Sequence, residues 1–350
     1  MNAMERIGLL AAGKLPDRVP VICNLLEQGA LELGLSIEEY YSSGEKVAEA
    51  QLRMQRKYGY DNLWGFFYVA RDAEMLGCRK IIFAKDGPPN VGELIIRNPA
   101  DIEALTVPAD VGATEAFQEL RNCIRILKAE QGGRCPVLGS VVSSFSLPSM
   151  LMGMDTWLQL LLTGPKSLCR ELLEKCSDFC IRHIQALRAE GIDMIAYSNP
   201  VASATFLTFP QFRELALPWI RRDFEAVGTE GLVYFNGGGV INPQIDLIRE
   251  QTGVGAFYLN PLDDISEAKR IVDGKALVTG VINDIRLISW KRDEIEHEVA
   301  RIMAAGATGG GFLFGTLVMP LYIPEEKIKI MLEAAFRHGI YPNNATLPAR

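Results

Sequence analysis

The chain has 350 residues, 48% of them hydrophobic, and a formal net charge of −7. That is apolar material for one large domain or two ordinary ones. Acids and bases interleave without a basic stripe, so no nucleic-acid partner is expected, and no apolar run approaches a membrane span.

The start, MNAMERIGLL, lacks the apolar core of a signal peptide. Seven cysteines stand at irregular spacings without a CxxC, and reduced thiols in a cytoplasm are expected. Cys169, Cys176 and Cys180 share one face of a helical pattern and read as small core residues. His183, His297 and His338 are the only histidines and all fall in helical patterns. A histidine base or ligand on a loop is therefore not expected.

In chain order, β-type runs occupy 19–23, 62–67, 136–142, 194–198, 232–236, 256–260, 276–281 and 311–316. They are nearly continuous in apolar character, as strands covered on both faces are. Helical stretches separate them. Asp155 is placed to cap TWLQLLL, and Thr208 to cap the helix that follows it. SEAKRIVDG and RDEIEHEVARIMAAG each stop at a glycine. Eight strands alternating with helices predict an α/β fold, a (β/α)8 TIM barrel. An open doubly wound sheet is the rival, disfavoured because no GxGxxG follows the first strand. An N-terminal extension precedes the barrel. A hairpin turning at Gly87–Asn90, followed by a helix ending near Glu130, is inserted between the second and third strands. The whole chain, 1–350, reads as a single domain.

Barrel chemistry sits on the loops after the strands. Asn24 follows the first run, Phe67 and Tyr68 the second, Ser143 and Ser144 the third, and Ser198 and Asn199 the fourth. Asn236 ends the fifth and Asn260 the sixth; Asn283 and Asp284 follow the seventh, and Thr316 ends the eighth. Asparagine suits turns through its own side-chain hydrogen bonds. Five asparagines on one rim also offer donors and acceptors without charge. Asn236, Asn199, Tyr68 and Glu27 are the candidate catalytic residues. Asn24, Ser144, Gly237, Gly238, Asn260, Asn283 and Thr316 are the candidate contacts to substrate or corrinoid. No metal ligands are assigned.

A series of segments carries a family resemblance: LPDRVPV, AEMLGCRKIIFAKDGPP, GMDTWLQLLLTGPKSLCRELLEKCSDF, EGIDMIAYSNPVASATFLTFPQFRELALPWI, NPLDDISEAKRIVDGKALVTGVIND and GGGFLFGTLVMPLYIPEEKI. In this order the chain resembles the uroporphyrinogen decarboxylase superfamily, which includes the methylcobamide:coenzyme M methyltransferases. The resemblance implies a barrel, often dimeric, whose cleft takes a tetrapyrrole or the methyl group of a corrinoid.

The decarboxylases' Arg-Gln-Ala-Gly-Arg motif falls on NLLEQGA, with its arginines near Leu26 and Ala30 and Glu27 beside them. Their aspartate falls near Tyr68, their tyrosine near Met150, and their histidine near Thr316 or Leu317. A carboxylate in place of arginines would repel an octacarboxylate. The zinc methyltransferases' His-x-Cys-Gly falls on FNGG, with the histidine at Phe235 and the cysteine at Gly237; their second cysteine falls near Val318. Nearby Cys23 and Cys78 do not complete a set. No zinc is expected.

The resemblance leans to the methyltransferase branch through RDAEMLGCRKIIFAKDGPPNVGELI and VTGVINDIRLI. It implies a corrinoid-linked methyltransferase for a small substrate, and the missing ligand set makes a zinc-independent one the expectation. No cofactor is expected to be tightly bound, and a partner protein would supply the corrinoid. One alternative is a decarboxylase or other lyase with Glu27, Asp72 or Asp284 as acid. Another is a tetrapyrrole- or corrinoid-binding protein without turnover. Strand alternation puts Phe235 and Asn236 on opposite sides. Because an unsatisfied buried amide costs about 1–3 kcal/mol, Asn236 is expected to face the ligand and Phe235 to pack under a helix.

Overall fold

The computed structural model describes residues 1–341. Eight parallel strands form its sheet: β1 (Val21–Ile22), β2 (Leu63–Trp64), β3 (Val137–Val142), β4 (Met194–Ser198), β5 (Leu232–Phe235), β6 (Ala256–Tyr258), β7 (Leu277–Ile282) and β8 (Phe312–Thr316). The pairing order is β1-β8-β7-β6-β5-β4-β3-β2. This is the α/β barrel expected from the alternation. Every residue of β3 and β8 is buried, because helices cover the outside and side chains fill the inside.

β1 and β2 are two residues each, shorter than the apolar runs suggested. One backbone bond and two side chains take the place of a ladder between them. The Asp61 N–H donates to the Val21 carbonyl at 2.8 Å. The Asp61 carboxylate takes the Val21 N–H at 2.8 Å. The Asn62 side chain takes the Cys23 N–H at 2.8 Å and donates to the Cys23 carbonyl at 3.3 Å. A short polar pair thus joins the first and second strands and closes the ring.

The N-terminal extension is the helix Ala3–Ala11, with Asn2 as its capping-box residue. Its Ile7 and Leu10 pack with Ile22, Trp64, Leu138 and Leu313 in the barrel interior. The inserted hairpin pairs Ile81–Ile82 with Asn90–Val91, and helices Pro99–Ala104 and Glu115–Gln131 follow. Thr208 caps its helix by a capping box with Gln211. Asp155 does not cap: the helix Met154–Thr163 starts after Gly153, and Asp155 lies in its first turn, where a carboxylate still favours the dipole. The helix Ile265–Val272 ends on Asp273, which takes the left-handed conformation (φ 48°) one residue before the expected glycine. Cys176 and Cys180 are buried and Cys169 half-buried, as core residues. Among the described residues no helix is long and apolar enough to cross a membrane.

Candidate active site

Side chains of alternate strand residues point into the barrel. Trp64, Ser198, Phe235 and Tyr258 do so at the C-terminal ends of their strands, and Ser140 and Ala196 from mid-strand. With Asn24, Leu26, Glu27, Phe67, Tyr68, Val69, Pro88 and Val318 they enclose a cavity of about 240 Å³. Pro88 comes from the inserted hairpin, whose Phe83 also meets Tyr68 edge-on at 6.0 Å between ring centroids. The insertion therefore roofs one side of the mouth. A smaller space lies deeper, walled by Leu138, Val233, Leu277 and Leu313.

The cavity wall is aromatic. Trp64 stacks on Phe67 (centroids 5.6 Å apart, 29° between planes), and Phe235 meets Tyr258 edge-on (5.4 Å, 75°). Tyr258 has room because β8 carries Gly315 opposite it. A Cβ there would fall 2.4 Å from the tyrosine oxygen.

The polar groups behind this wall are mostly satisfied. The Trp64 indole donates to Asn24 Oδ1 at 2.8 Å. Asn24 Nδ2 donates to the Tyr258 oxygen at 3.0 Å and to the Thr316 carbonyl at 2.5 Å. The Tyr258 hydroxyl donates to that same carbonyl at 2.6 Å. Tyr68 donates to Glu74 at 2.6 Å and accepts from Arg71 at 2.8 Å. Glu27 is 3% exposed; its Oε1 accepts from the Tyr41 hydroxyl at 3.1 Å. Burial is the main influence on Glu27 and holds its carboxyl above the usual carboxylate range.

Of the candidate residues read from the sequence, Asn24, Glu27 and Tyr68 line the cavity. The remaining asparagines are part of the frame. Asn199 is fully buried. It accepts from Ser143 and Ser146 at 2.6 and 2.8 Å and donates to Tyr234 at 3.0 Å. Asn260 donates to the Gly238 carbonyl at 2.5 Å and accepts from the Leu262 N–H. Asn283 caps the helix Asp284–Leu287. Ser144 donates to buried Asp223 at 2.6 Å, and the Thr316 hydroxyl accepts the Asn24 N–H at 2.9 Å. Asp72, an alternative acid, is buried against the Val142 N–H (2.7 Å) and His183 (3.5 Å), behind the strands. Asp284 is likewise buried but does not line the cavity.

The expectation for Asn236 is reversed. Phe235 lines the cavity, and Asn236 turns away, donating to the Val240 carbonyl at 3.2 Å and to Gln244 Oε1 at 2.9 Å. The amide nitrogen finds acceptors in the turn and helix that follow, which holds the side chain away from the cavity, while Oδ1 is buried without a partner. The glycines have packing reasons too. Gly237 has φ +60°, which favours glycine, and a Cβ there would meet Pro200 at 2.8 Å. A Cβ on Gly239 would lie 2.3 Å from the Ser203 side chain. Gly237 and Gly238 do not line the cavity. Asn236→Ala is accordingly expected to lower stability by about 1–3 kcal/mol and leave the cavity intact. Phe235→Ala should change ligand binding instead. Denaturant titration and a binding isotherm on both variants check this, and loss of binding in Asn236→Ala without loss of stability would contradict it.

Sequence reading missed Trp64, Ser140, Ala196, Phe235, Tyr258 and Val318. Strand parity was the available signal: Ala196 and Ser198, Val233 and Phe235, and Ala256 and Tyr258 alternate with residues that face the helices.

Comparison with known proteins follows the same outline. The family model described as uroporphyrinogen decarboxylase (URO-D) matches residues 2–338. A methylcobamide:CoM methyltransferase, MtbA, from Methanosarcina mazei is 25% identical over 328 residues, covering 91% of this chain and 93% of its own. A uroporphyrinogen decarboxylase from Saccharopolyspora erythraea is 26% identical over 329 residues, covering 87% and 88%. A solved structure of a methyltransferase from Methanosarcina mazei superposes with a TM-score of 0.82 at 19% identity, covering 96% of this chain and 98% of that one; it shares the fold.

Proposed function

The chain belongs to the uroporphyrinogen decarboxylase family, and on that premise we propose that it is a corrinoid-linked methyltransferase, working without zinc on a small substrate in the barrel mouth. The observation that carries this reading is what stands at the rim. By the resemblance, a zinc-binding histidine of the related methyltransferases would fall at Phe235 and a cysteine near Val318, and both residues form apolar cavity wall. Gly237, in the place of the other cysteine, has no side chain to donate. Among the described residues no three His, Cys, Asp or Glu side chains are grouped to hold a metal. Buried Cys23 is a poor substitute, since burial pushes its thiol up to about 12.

Without a metal a thiol acceptor stays protonated, and a methylated oxygen or nitrogen compound fits the site better. The aromatic wall would hold that compound, and Glu27 would meet its polar atom. Zinc in the related enzymes serves to lower a thiol's pKa; no step here calls for it.

A corrin ring is far larger than this cavity, so it would meet the mouth from outside as a co-substrate on another protein. The rim suits such a partner. Phe206 and Phe209 follow β4, Leu262 follows β6, Ile285 follows β7, and Val318 and Tyr322 follow β8, all exposed. A decarboxylase acting on an octacarboxylate is less well supported, because no arginine or lysine lines the cavity.

The test has two parts. Elemental analysis of the purified protein is expected to find no stoichiometric zinc. Anaerobic assays with free cob(I)alamin or methylcobalamin are expected to show methyl exchange with an ether, phenol or amine, unaffected by chelators. Zinc bound at the rim would overturn the metal-free reading. Silence across ethers, phenols, amines, thiols and tetrahydrofolate, with cobalamin or a porphyrin still bound, would establish a binding protein instead.

A further inference from the structure

Two groups in the cavity wall have polar atoms without a partner among the described residues. Glu27 uses Oε1 for the Tyr41 hydroxyl, and its Oε2 makes no hydrogen bond. Ser198 Oγ likewise makes none, although the residue lines the cavity. Asn24, Trp64, Tyr68, Tyr258 and Ser140 are all engaged within the protein. The rest of the wall is ring or aliphatic surface, without a basic side chain. Such a site fits a flat, uncharged molecule with one oxygen to be met by an acid and a hydroxyl.

We propose that the cavity binds an aryl methyl ether between the Trp64–Phe67 and Phe235–Tyr258 ring pairs, and that Glu27 is the acid that protonates its departing oxygen. The proposal rests on the methyl-transfer reading and names its substrate class. The oxygen–methyl bond breaks and its electron pair stays on the aryl oxygen. The cobalt(I) centre of the corrinoid co-substrate supplies the electron pair for the new carbon–cobalt bond. The Glu27 proton passes to the aryl oxide, giving a phenol, and the carboxylate regains a proton from water at the mouth. An aryl oxide has a proton affinity like that of tyrosine, with a pKa of about 10, so this transfer runs downhill from a carboxylic acid. Burial of Glu27 favours its neutral, proton-bearing form, which also makes the cavity a poor cage for a quaternary ammonium. Offset and edge-on ring contacts select planar ligands.

The test uses the whole protein. Without corrinoid, 2-methoxyphenol and its demethylated product, catechol, are expected to bind with quenching of tryptophan fluorescence, and tetramethylammonium is not. Phe235→Ala should weaken that binding. Glu27→Gln should retain it while slowing methyl transfer from 2-methoxyphenol to free cob(I)alamin about 10²–10⁴-fold. The wild-type rate should fall as pH rises through the Glu27 pKa, the variant should lose that limb, and Glu27→Asp should restore part of it. Binding of tetramethylammonium but not of the aryl compounds overturns the substrate class. If methyl transfer from other donors persists in that case, the methyl-transfer reading survives. Aryl binding with no transfer from 2-methoxyphenol by the wild type overturns the substrate class and the acid role; the methyl-transfer reading falls only if the other donors are silent too. A Glu27→Gln protein that binds and turns over normally overturns the acid role alone.

Discussion

Asp61→Ala is expected to remove about 3–5 kcal/mol of folding stability, the range for stripping one partner from a buried ion pair. Asp61 precedes β2 and is 2% exposed. One carboxylate oxygen takes the Val21 N–H at 2.8 Å and an Arg18 N–H at 2.5 Å. The other takes Arg6 and Arg18, each at 3.0 Å. Alanine would leave a backbone donor unpaired at the barrel seam and two guanidinium groups short of a counter-ion. Arg6 keeps Asp17 at 2.7 Å, so Arg18 bears most of the loss. Asp61→Asn should cost less, because an amide oxygen can still accept from Val21. Denaturant unfolding of both variants, with an Arg18→Ala cycle, measures this. A loss under about 1 kcal/mol for Asp61→Ala, the worth of an ordinary exposed pair, would show that the seam holds without it.

Asp223 is expected to make the protein less stable as pH rises. It is fully buried on the helix Leu217–Val227 and accepts from Ser177 at 2.5 Å, Ser144 at 2.6 Å and Tyr197 at 2.7 Å. Burial outweighs these bonds and lifts its pKa from 3.8 to about 6. A folded-state pKa above the unfolded one means that the folded state holds the proton more tightly. This contribution is therefore full below about pH 4 and lost by the time pH passes the folded value of about 6. At 1.36 kcal/mol per pKa unit, the loss amounts to about 3 kcal/mol. Asp223→Asn cannot ionise and should lack this dependence. The stability of the wild type relative to that variant should fall between pH 4 and 7, read by thermal or denaturant unfolding. A difference that stays flat across that window would mean that the three hydroxyls hold the carboxylate ionised throughout.

Both residues show where reading the sequence stops. An aspartate before a strand looks like turn chemistry, and one within RRDFEAVG looks like the polar face of a helix. Their roles arise from partners far away in sequence: Val21 and Arg18 for Asp61, and Ser144, Ser177 and Tyr197 for Asp223. The five rim asparagines are a related case. Their positions after strands were legible, but four of the five (Asn199, Asn236, Asn260 and Asn283) serve caps, turns and buried networks, and only Asn24 reaches the cavity. The competing principle was the asparagine side chain's affinity for nearby backbone and amide groups.

The sequence by itself determined the eight β/α units, their order and the inserted hairpin, because hydrophobic periodicity and end signals are local and survive without coordinates; the family showed separately, in the resemblance of ordered segments along the chain. It also placed Glu27 and Tyr68 beside the mouth. Only the tertiary structure decided which side of each strand faces the interior, since a shift of one residue exchanges Phe235 for Asn236 and every neighbour in step. It alone decided which polar atoms are already paired. In this cavity that left Glu27 Oε2 and Ser198 Oγ open amid rings, and pairing is a property of atoms brought together across the barrel, which no single segment encodes.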